Sequence, residues 1–306
     1  MKVIRACVLG YCMGVRRAMD MAEAALATGS QSPVYAMGSL IHNPQAMKSL
    51  INRGLTVLEE SNLPGDLSGA RVIIRAHGIT PHLEAALTNR GATLIDATCP
   101  RVKASQIKAQ SLCREGYRVF LAGEKEHGEI IGIRGYAPDC IIVGDPVSAA
   151  AAAEKLFLEE PRPVKTKRSI KTALIGQTTI SPDEYTAIAQ AIETVFPNLH
   201  SINTICRATR DRQDSLRELC GQVDAVIVAG GCESANTRRL LAIARAAGRG
   251  IPAWLVETPA EIPGEIRSFT TVGLCAGAST PDGLIDVIEE ALMKIDCKRI
   301  TPEVVL

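Results

Sequence analysis

The 306-residue chain is 46% apolar and 22% charged, and its 34 basic and 33 acidic side chains leave a net charge of +1. This composition suits a folded core and excludes a long disordered polyelectrolyte, while the near-neutral balance excludes broad attraction to nucleic acid or an anionic membrane surface. An anionic ligand has to be caught by local groups.

Taken in chain order, MKVIRACVLG reads as an interior strand and lacks the apolar run and small-residue cleavage site of an export signal. Cys12 follows in VLGYCMGVRRAMDMAEAAL, a short apolar run, a cysteine, then an amphipathic helical pattern. LIHNPQ brings His42, and the strand VIIRAHGITP brings His77 and ends in Thr80 and Pro81, a helix cap and a first helical residue, with Glu84 in the first turn. Helix HLEAALTNRG and strand ATLIDAT lead to Cys99, which heads the helix VKASQIKAQSLCREG. KEHGEI then brings His127 and Glu129, and AAAAAEKL is plain helix. The proline- and lysine-rich EEPRPVKTKRSIKTA has no interleaved aromatic residues and reads as an exposed loop. TALIGQTTISP repeats the strand, cap and proline at Ser181 and Pro182, with Asp183 following. NTICRATRDRQDSLREL repeats the cysteine turn at Cys206, CESANT follows at Ser234, and TVGLCAGASTP closes the series at Thr280, Pro281 and Asp282.

The same stations thus recur three times in the same order, which is the mark of an internal repeat. The expected fold is α/β: three similar α/β units, 1–96 with the N-terminal strand, 97–203, and 204–306 with a C-terminal tail, in pseudo-threefold arrangement around a central site. Ligands of α/β units bind at the carboxyl ends of the strands, so the three sets of turns are expected to meet in one pocket.

Each cysteine of the repeat precedes a helix start and has Arg or Lys nearby, a setting that favours metal ligation or reactivity. Structural zinc takes four ligands at clustered spacings, and these three lie far apart in sequence, so zinc is the second choice. Three thiolates suit a 4Fe-4S cluster with one iron left open as a Lewis acid. Three of the five histidines, His42, His77 and His127, fall at the polar stations, where they can donate hydrogen bonds and titrate near neutrality, and Glu129 can supply a proton. His82 and His200 are expected at the surface, and Cys7, Cys113, Cys140, Cys220 and Cys275 are expected to act as small hydrophobes. The ten cysteines form no short repeating framework, which indicates reduced thiols and a cytoplasmic protein, and no stretch approaches the roughly 18 apolar residues of a membrane span.

With these residues assembled, the chain resembles the 4-hydroxy-3-methylbut-2-enyl diphosphate reductase family over nearly its whole length. GYCMGVRRA, IHNP, RAHGIT, DATCP, EHGEIIG, GQTTIS, TICRATRDRQ, SANTRRL and AGASTPD stand in the family's order. The resemblance implies a reductive dehydroxylation that gives isopentenyl and dimethylallyl diphosphates, with ferredoxin or flavodoxin as electron donor. It implies Cys12, Cys99 and Cys206 as ligands of an oxygen-sensitive 4Fe-4S cluster, His42, His77, Ser234, Asn236 and Ser279 as holders of the diphosphate, Glu129 as proton source, and His127, Thr178 and Thr209 beside the hydroxyl end of the substrate. Ala235 stands among the phosphate residues where many members carry serine, Gly128 where proline commonly precedes the acid, and Glu124 in place of a commoner histidine; Cys232 is also unusual.

Two alternatives differ in class. A quinolinate-synthase-like enzyme shares three cysteines between three α/β units, but the HGE and SAN stations and the TTIS and GASTP turns favour the diphosphate reductase. A non-catalytic iron-sulfur sensor is disfavoured by the balanced charge and the lack of a nucleic-acid recognition motif.

Overall fold

A computed structural model of the chain describes residues 1–27, 32–159, 166, 169–247 and 250–296. Most of the proline- and lysine-rich segment and the C-terminal tail lie outside these. Short strands of β-branched and small residues alternate with amphipathic helices: β1 (Lys2–Arg5), α1 (Met13–Ala27), β2 (Val34–Met37), α2 (Pro44–Asn52), β3 (Leu55–Leu58), β4 (Arg71–Ile74), α3 (Pro81–Asn89), β5 (Thr93–Asp96), α4 (Pro100–Arg114) and β6 (Arg118–Ala122). There follow α5 (Gly128–Tyr136), β7 (Ile141–Val143), α6 (Pro146–Glu159), β8 (Thr172–Gly176), α7 (Pro182–Glu193), β9 (His200–Ser201), α8 (Arg207–Cys220), β10 (Ala225–Ala229), α9 (Ala235–Ala246), β11 (Ala253–Val256), β12 (Thr271–Ala276) and α10 (Asp282–Met293).

The strands form three parallel four-stranded sheets, ordered β3-β2-β4-β5, β7-β6-β8-β9 and β11-β10-β12-β1. In each the second strand lies outermost, then the first, the third and a fourth, and that fourth strand leads towards a repeat cysteine. In the last sheet the fourth place is taken by the N-terminal strand, with Lys2 opposite Thr271 and Arg5 opposite Leu274. Sequence adjacency groups β1 with residues up to 96; its hydrogen bonds put it beside β12, because a parallel strand can pair only through a long crossover.

The chain packs as two compact units. One comprises 1–12, 42–46 and the residues from 207 onward; the other comprises 13–41 and 47–206. In the first, α10 covers one face of the sheet, where Ile227, Leu274 and Val272 meet Leu284, Ile285 and Ile288. The opposite face, with Val226 and Val228, packs on Leu216, Leu219 and Leu240 of α8 and α9. In the second unit Phe120 and Leu174 pack with Ile188 and Phe196 on one face, and Leu121 and Ile175 with Leu112, Ile130 and Ile133 on the other. Coverage of both faces is why β10 is apolar throughout and why β8, with Thr172 its one polar residue, is likewise wholly buried. Each such Leu or Ile side chain contributes about 1.5–3 kcal/mol by burial.

The helix starts differ in detail. Thr80 caps α3 by accepting the Leu83 N–H, and Ser181 forms a full capping box with Glu184 on α7. On α10 the expectation fails: the helix begins at Asp282 with Pro281 in the cap position, because the Thr280 hydroxyl donates instead to the Ala229 carbonyl at 3.0 Å. Cys140, Cys220 and Cys275 are buried and Cys113 half-buried as expected, but Cys7 is exposed, since it lies beyond the end of β1. His82 and His200 are at the surface. Among the described residues no helix is long and apolar enough to cross a membrane.

Candidate active site

The repeat cysteines stand where strands hand over to helices. Cys12 and Cys206 immediately precede α1 and α8, and Cys99 is the N-cap residue of α4, with Pro100 supplying the first helical position. All three are reduced and partly accessible. Gly14, two residues along the chain from Cys12, is pressed against Cys99: a Cβ there would lie 2.6 Å from the Cys99 Sγ. Glycine is therefore favoured beside that thiol, and thiols held on helix-heading turns are a donor set that fits thiophilic iron.

In the unit formed by 13–41 and 47–206, Glu129 lies in the first turn of α5 and is 1% exposed. Its carboxylate accepts the Thr178 N–H at 2.6 Å and the Thr178 hydroxyl at 2.8 Å. Burial raises its pKa to about 7, against the lowering effect of those two hydrogen bonds. The Thr178 carbonyl in turn accepts the N–H of Cys206 at 2.9 Å. His127 caps α5, its Nδ1 accepting the Glu129 N–H at 3.2 Å, and the ring of His77 meets it edge-on at 5.1 Å between centroids. Gln177, wholly buried, accepts the Glu124 N–H at 3.0 Å and donates to the Thr179 hydroxyl at 2.9 Å, which fixes the turn that carries Thr178.

In the other unit the Cys12 N–H donates to the Ala278 carbonyl at 3.1 Å, and the adjacent Ser279 hydroxyl donates to the His42 carbonyl at 3.0 Å. The His42 carbonyl also lies against Gly231, where a Cβ would stand 2.6 Å from it. Ser234 caps α9 by accepting the Thr237 N–H. Ser234, Asn236 and Ser279 are each about 95% buried, and the Asn236 Nδ2 has no hydrogen-bond partner among the described residues. A buried, unused donor at a helix N-terminus is suited to an anion. Ala235 is buried and adds no hydroxyl there, and Thr209 is buried in the first turn of α8.

Asn43, Gln177 and Gly14 also shape the site and lie outside the repeated stations. Asn43, not His42, occupies the cap position that His127 and Ser234 hold in their helices: its Oδ1 accepts the Ala46 N–H at 3.0 Å. The Asn-Pro step in IHNP is a legible signal for this. Gln177 and Gly14 carried no local signal, since their importance arises only from what folding places beside them. Cys232 is exposed, and its thiol is pushed to higher pKa chiefly by a hydrogen bond with Glu257.

Helix-heading thiols, with a buried titratable carboxyl fastened through one threonine to the turn of one of them, equip an iron-sulfur oxidoreductase. Comparison with known proteins agrees. The family model described as LytB protein matches residues 3–293, and the chain belongs to this family. A Treponema denticola protein named 4-hydroxy-3-methylbut-2-enyl diphosphate reductase is 45% identical over 299 residues, covering 96% of this chain and all of the relative. The E-1-hydroxy-2-methyl-but-2-enyl-4-diphosphate reductase from Plasmodium falciparum is similar in structure, with a TM-score of 0.84 and 28% identity over 94% of this chain and 87% of that one. A second solved structure, the (E)-4-hydroxy-3-methyl-but-2-enyl diphosphate reductase described as the terminal enzyme of the non-mevalonate pathway, matches with a TM-score of 0.67 and 36% identity, covering 96% of this chain and all of that one. Family membership sets aside the quinolinate-synthase-like and sensor alternatives.

Proposed function

We propose that the chain reduces (E)-4-hydroxy-3-methylbut-2-enyl diphosphate to isopentenyl and dimethylallyl diphosphates, consuming two electrons and two protons and releasing water. The observation that carries this is Glu129, a buried carboxyl with a pKa of about 7 and hydrogen-bonded to Thr178. A group of that pKa still holds a proton near neutrality, as an acid for a leaving hydroxide requires. When Glu129 is ionised the Thr178 hydroxyl points its hydrogen at the carboxylate; when Glu129 is protonated the bond can reverse, and Thr178 then presents its own hydrogen to the substrate hydroxyl. His127, whose Nδ1 accepts from the Glu129 N–H, is assigned beside the same end of the substrate. Thr209 is assigned beside that hydroxyl as well.

Cys12, Cys99 and Cys206 would hold a 4Fe-4S cluster. When bound, the cluster supplies the electrons and a Lewis-acidic iron for breaking the allylic C–O bond. The diphosphate is assigned to the Asn236 amide, Ser234, Ser279 and the first turn of α9, with His42 and His77 as further donors. Neutral donors and a helix N-terminus suffice for a diphosphate without a lysine cluster, which accords with the net charge of +1. The three similar α/β units are proposed as 1–96, 97–203 and 204–306, with β1 lent to the sheet of the third. A small one-electron carrier of the ferredoxin or flavodoxin type is the proposed donor.

The test is anaerobic reconstitution with iron and sulfide, then turnover with a low-potential reductant. Both products are expected from the native chain; Cys99→Ser is expected to lose iron, and Glu129→Gln to keep iron but lose turnover. A complete cluster without turnover would overturn the assignment.

A further inference from the structure

Two arginines that have no role in the chemistry above grip the backbone leading into two of the cysteines. Arg17, in the second turn of α1, donates from Nη1 to the carbonyl of Thr98 and from Nη2 to that of Asp96, both at 3.1 Å. Thr98 is the residue before Cys99. On its other side the same turn is held by the Cys99 N–H donating to the Ala76 carbonyl at 2.9 Å and by the Thr98 N–H donating to the Asp96 carboxylate at 3.0 Å. Arg212, in the second turn of α8, is 2% exposed. It donates from Nη2 to the Gly10 carbonyl at 2.7 Å and from Nη1 to the Ala208 carbonyl at 3.1 Å. Gly10 lies two residues before Cys12 and has φ +78°, a left-handed turn open to glycine, so its carbonyl direction is set by that turn and then fixed by the guanidinium.

The two arrangements are the same device used twice. A helix that a repeat cysteine heads carries an arginine in its second turn, and the guanidinium fastens backbone just upstream of a different repeat cysteine, through two carbonyls for Arg17 and through the Gly10 carbonyl for Arg212, whose second bond returns to Ala208 of its own helix. At the matching positions of α4 stand Ala104 and Ser105, which carry no cation. The Cys206 turn is fastened by neutral groups instead, the Thr178 carbonyl and the Thr204 hydroxyl bonded to Gly176. Hydrogen bonds from a charged donor are about twice as strong as neutral ones, and a planar guanidinium fixes two carbonyls in one geometry as an ammonium cannot. A fixed cation beside a cysteine turn also acts on an iron-sulfur centre electrostatically, since net charge is one of the terms that set its reduction potential.

We propose that Arg17 and Arg212 are positioning residues that hold the Cys99 and Cys12 turns in their ligating pose, and that their charge raises the reduction potential of the centre those thiols bind. This rests on Cys12, Cys99 and Cys206 being the ligands. The experiment compares native protein, Arg17→Met, Arg17→Lys, Arg212→Met, Arg212→Lys and Cys99→Ser after anaerobic reconstitution. Far-UV circular dichroism and apo-protein melting check folding, release of iron to a chelator gives retention, and a redox titration followed by electron paramagnetic resonance gives the midpoint potential.

The methionine variants are expected to fold, to release iron about tenfold faster, the loss of roughly one charge-assisted hydrogen bond, and to titrate at a lower potential. The lysine variants should recover the potential but not the retention. A purely structural role would change melting and leave the potential where it was. Methionine variants with native release and native potential would overturn the proposal while Cys99→Ser still loses iron, and retention of iron by Cys99→Ser would remove the ligand assignment and the proposal together. If Arg212→Met does not fold, the half-buried Arg17 carries the test alone.

Discussion

Cys206 is tied to the turn of Thr178 by a 2.9 Å hydrogen bond from its N–H to the Thr178 carbonyl, while the N–H and hydroxyl of the same threonine are both given to Glu129. One residue therefore serves a proposed iron ligand on one side and a proposed proton source on the other. Its hydroxyl can be removed without disturbing the backbone bond. Thr178→Val should keep iron, lower turnover by about 10²–10⁴-fold, and move the Glu129 pKa further up, because one of the two bonds that favour the carboxylate is lost. The check is iron content together with the pH profile of kcat, whose Glu129 limb should shift to higher pH; Thr178→Ser should restore it.

Burial of Glu129 also makes stability depend on pH in a defined direction. Its folded pKa, about 7, exceeds the ordinary 4.5, so between those values the folded chain binds more protons than the unfolded one. Its contribution is fully present below about 4.5, is lost as pH rises through about 7, and amounts to roughly 3 kcal/mol. The difference in unfolding free energy between native and Glu129→Gln protein should therefore change by about that amount from pH 4.5 to pH 8 in urea titrations, the native chain losing ground as the pH rises.

Gly14→Ala places a methyl group 2.6 Å from the Cys99 sulfur. Overpacking of this kind costs about 1–3 kcal/mol, and here the most movable neighbour is the thiol itself. Iron per chain after reconstitution should fall while circular dichroism is unchanged; native iron content would show that the turn has room to yield.

Gly128 begins α5, where alanine ordinarily gains about 0.5–1 kcal/mol over glycine. In this chain a Cβ at 128 would lie 2.9 Å from Nη2 and 3.0 Å from Cζ of Arg75, whose Nε–H donates to the Gly78 carbonyl at 3.4 Å. The clash falls on the far end of a flexible side chain, so Gly128→Ala should keep part of that gain as Arg75 shifts, and Arg75→Ala combined with it should release the rest. A double-mutant cycle by denaturant titration reads the sign directly.

The unused Asn236 amide predicts a change in binding alone. Asn236→Ala should raise KM about tenfold with kcat little altered, the pattern of a contact made equally in ground and transition states. Ala235→Ser adds a hydroxyl in the same buried turn and should tighten substrate binding several-fold by calorimetry.

What could be read before folding was whatever repeats locally. The cysteine turns, the serine and threonine caps and the apolar strands each carry their signal within a few residues, so Thr80 and Ser181 are found at their helices. Thr280 is the exception because the Ala229 carbonyl, remote in sequence, takes its hydroxyl. The pairing of β1 with β12, the pressure of Gly14 on Cys99 and the wedge of Arg75 against Gly128 are long-range by nature. No pattern of spacing encodes them. Glu129 could be suspected from HGE, but its raised pKa comes from burial, which belongs to the fold.

The placement of β1 at the edge of the last sheet has a consequence for the order in which the chain matures on the ribosome. β1 finds its neighbour only after β12, which follows the strands of both other sheets in the chain, has been made. Sheets β3-β2-β4-β5 and β7-β6-β8-β9 close within their own stretch of chain and can fold as they appear. The unit that contains Cys12 has to wait, its loop closure spanning both of the other sheets. Cluster insertion through all three proposed ligands therefore waits for β12, and a chain released before β12 would leave β1 without its partner and Cys12 without the Ala278 carbonyl that holds it.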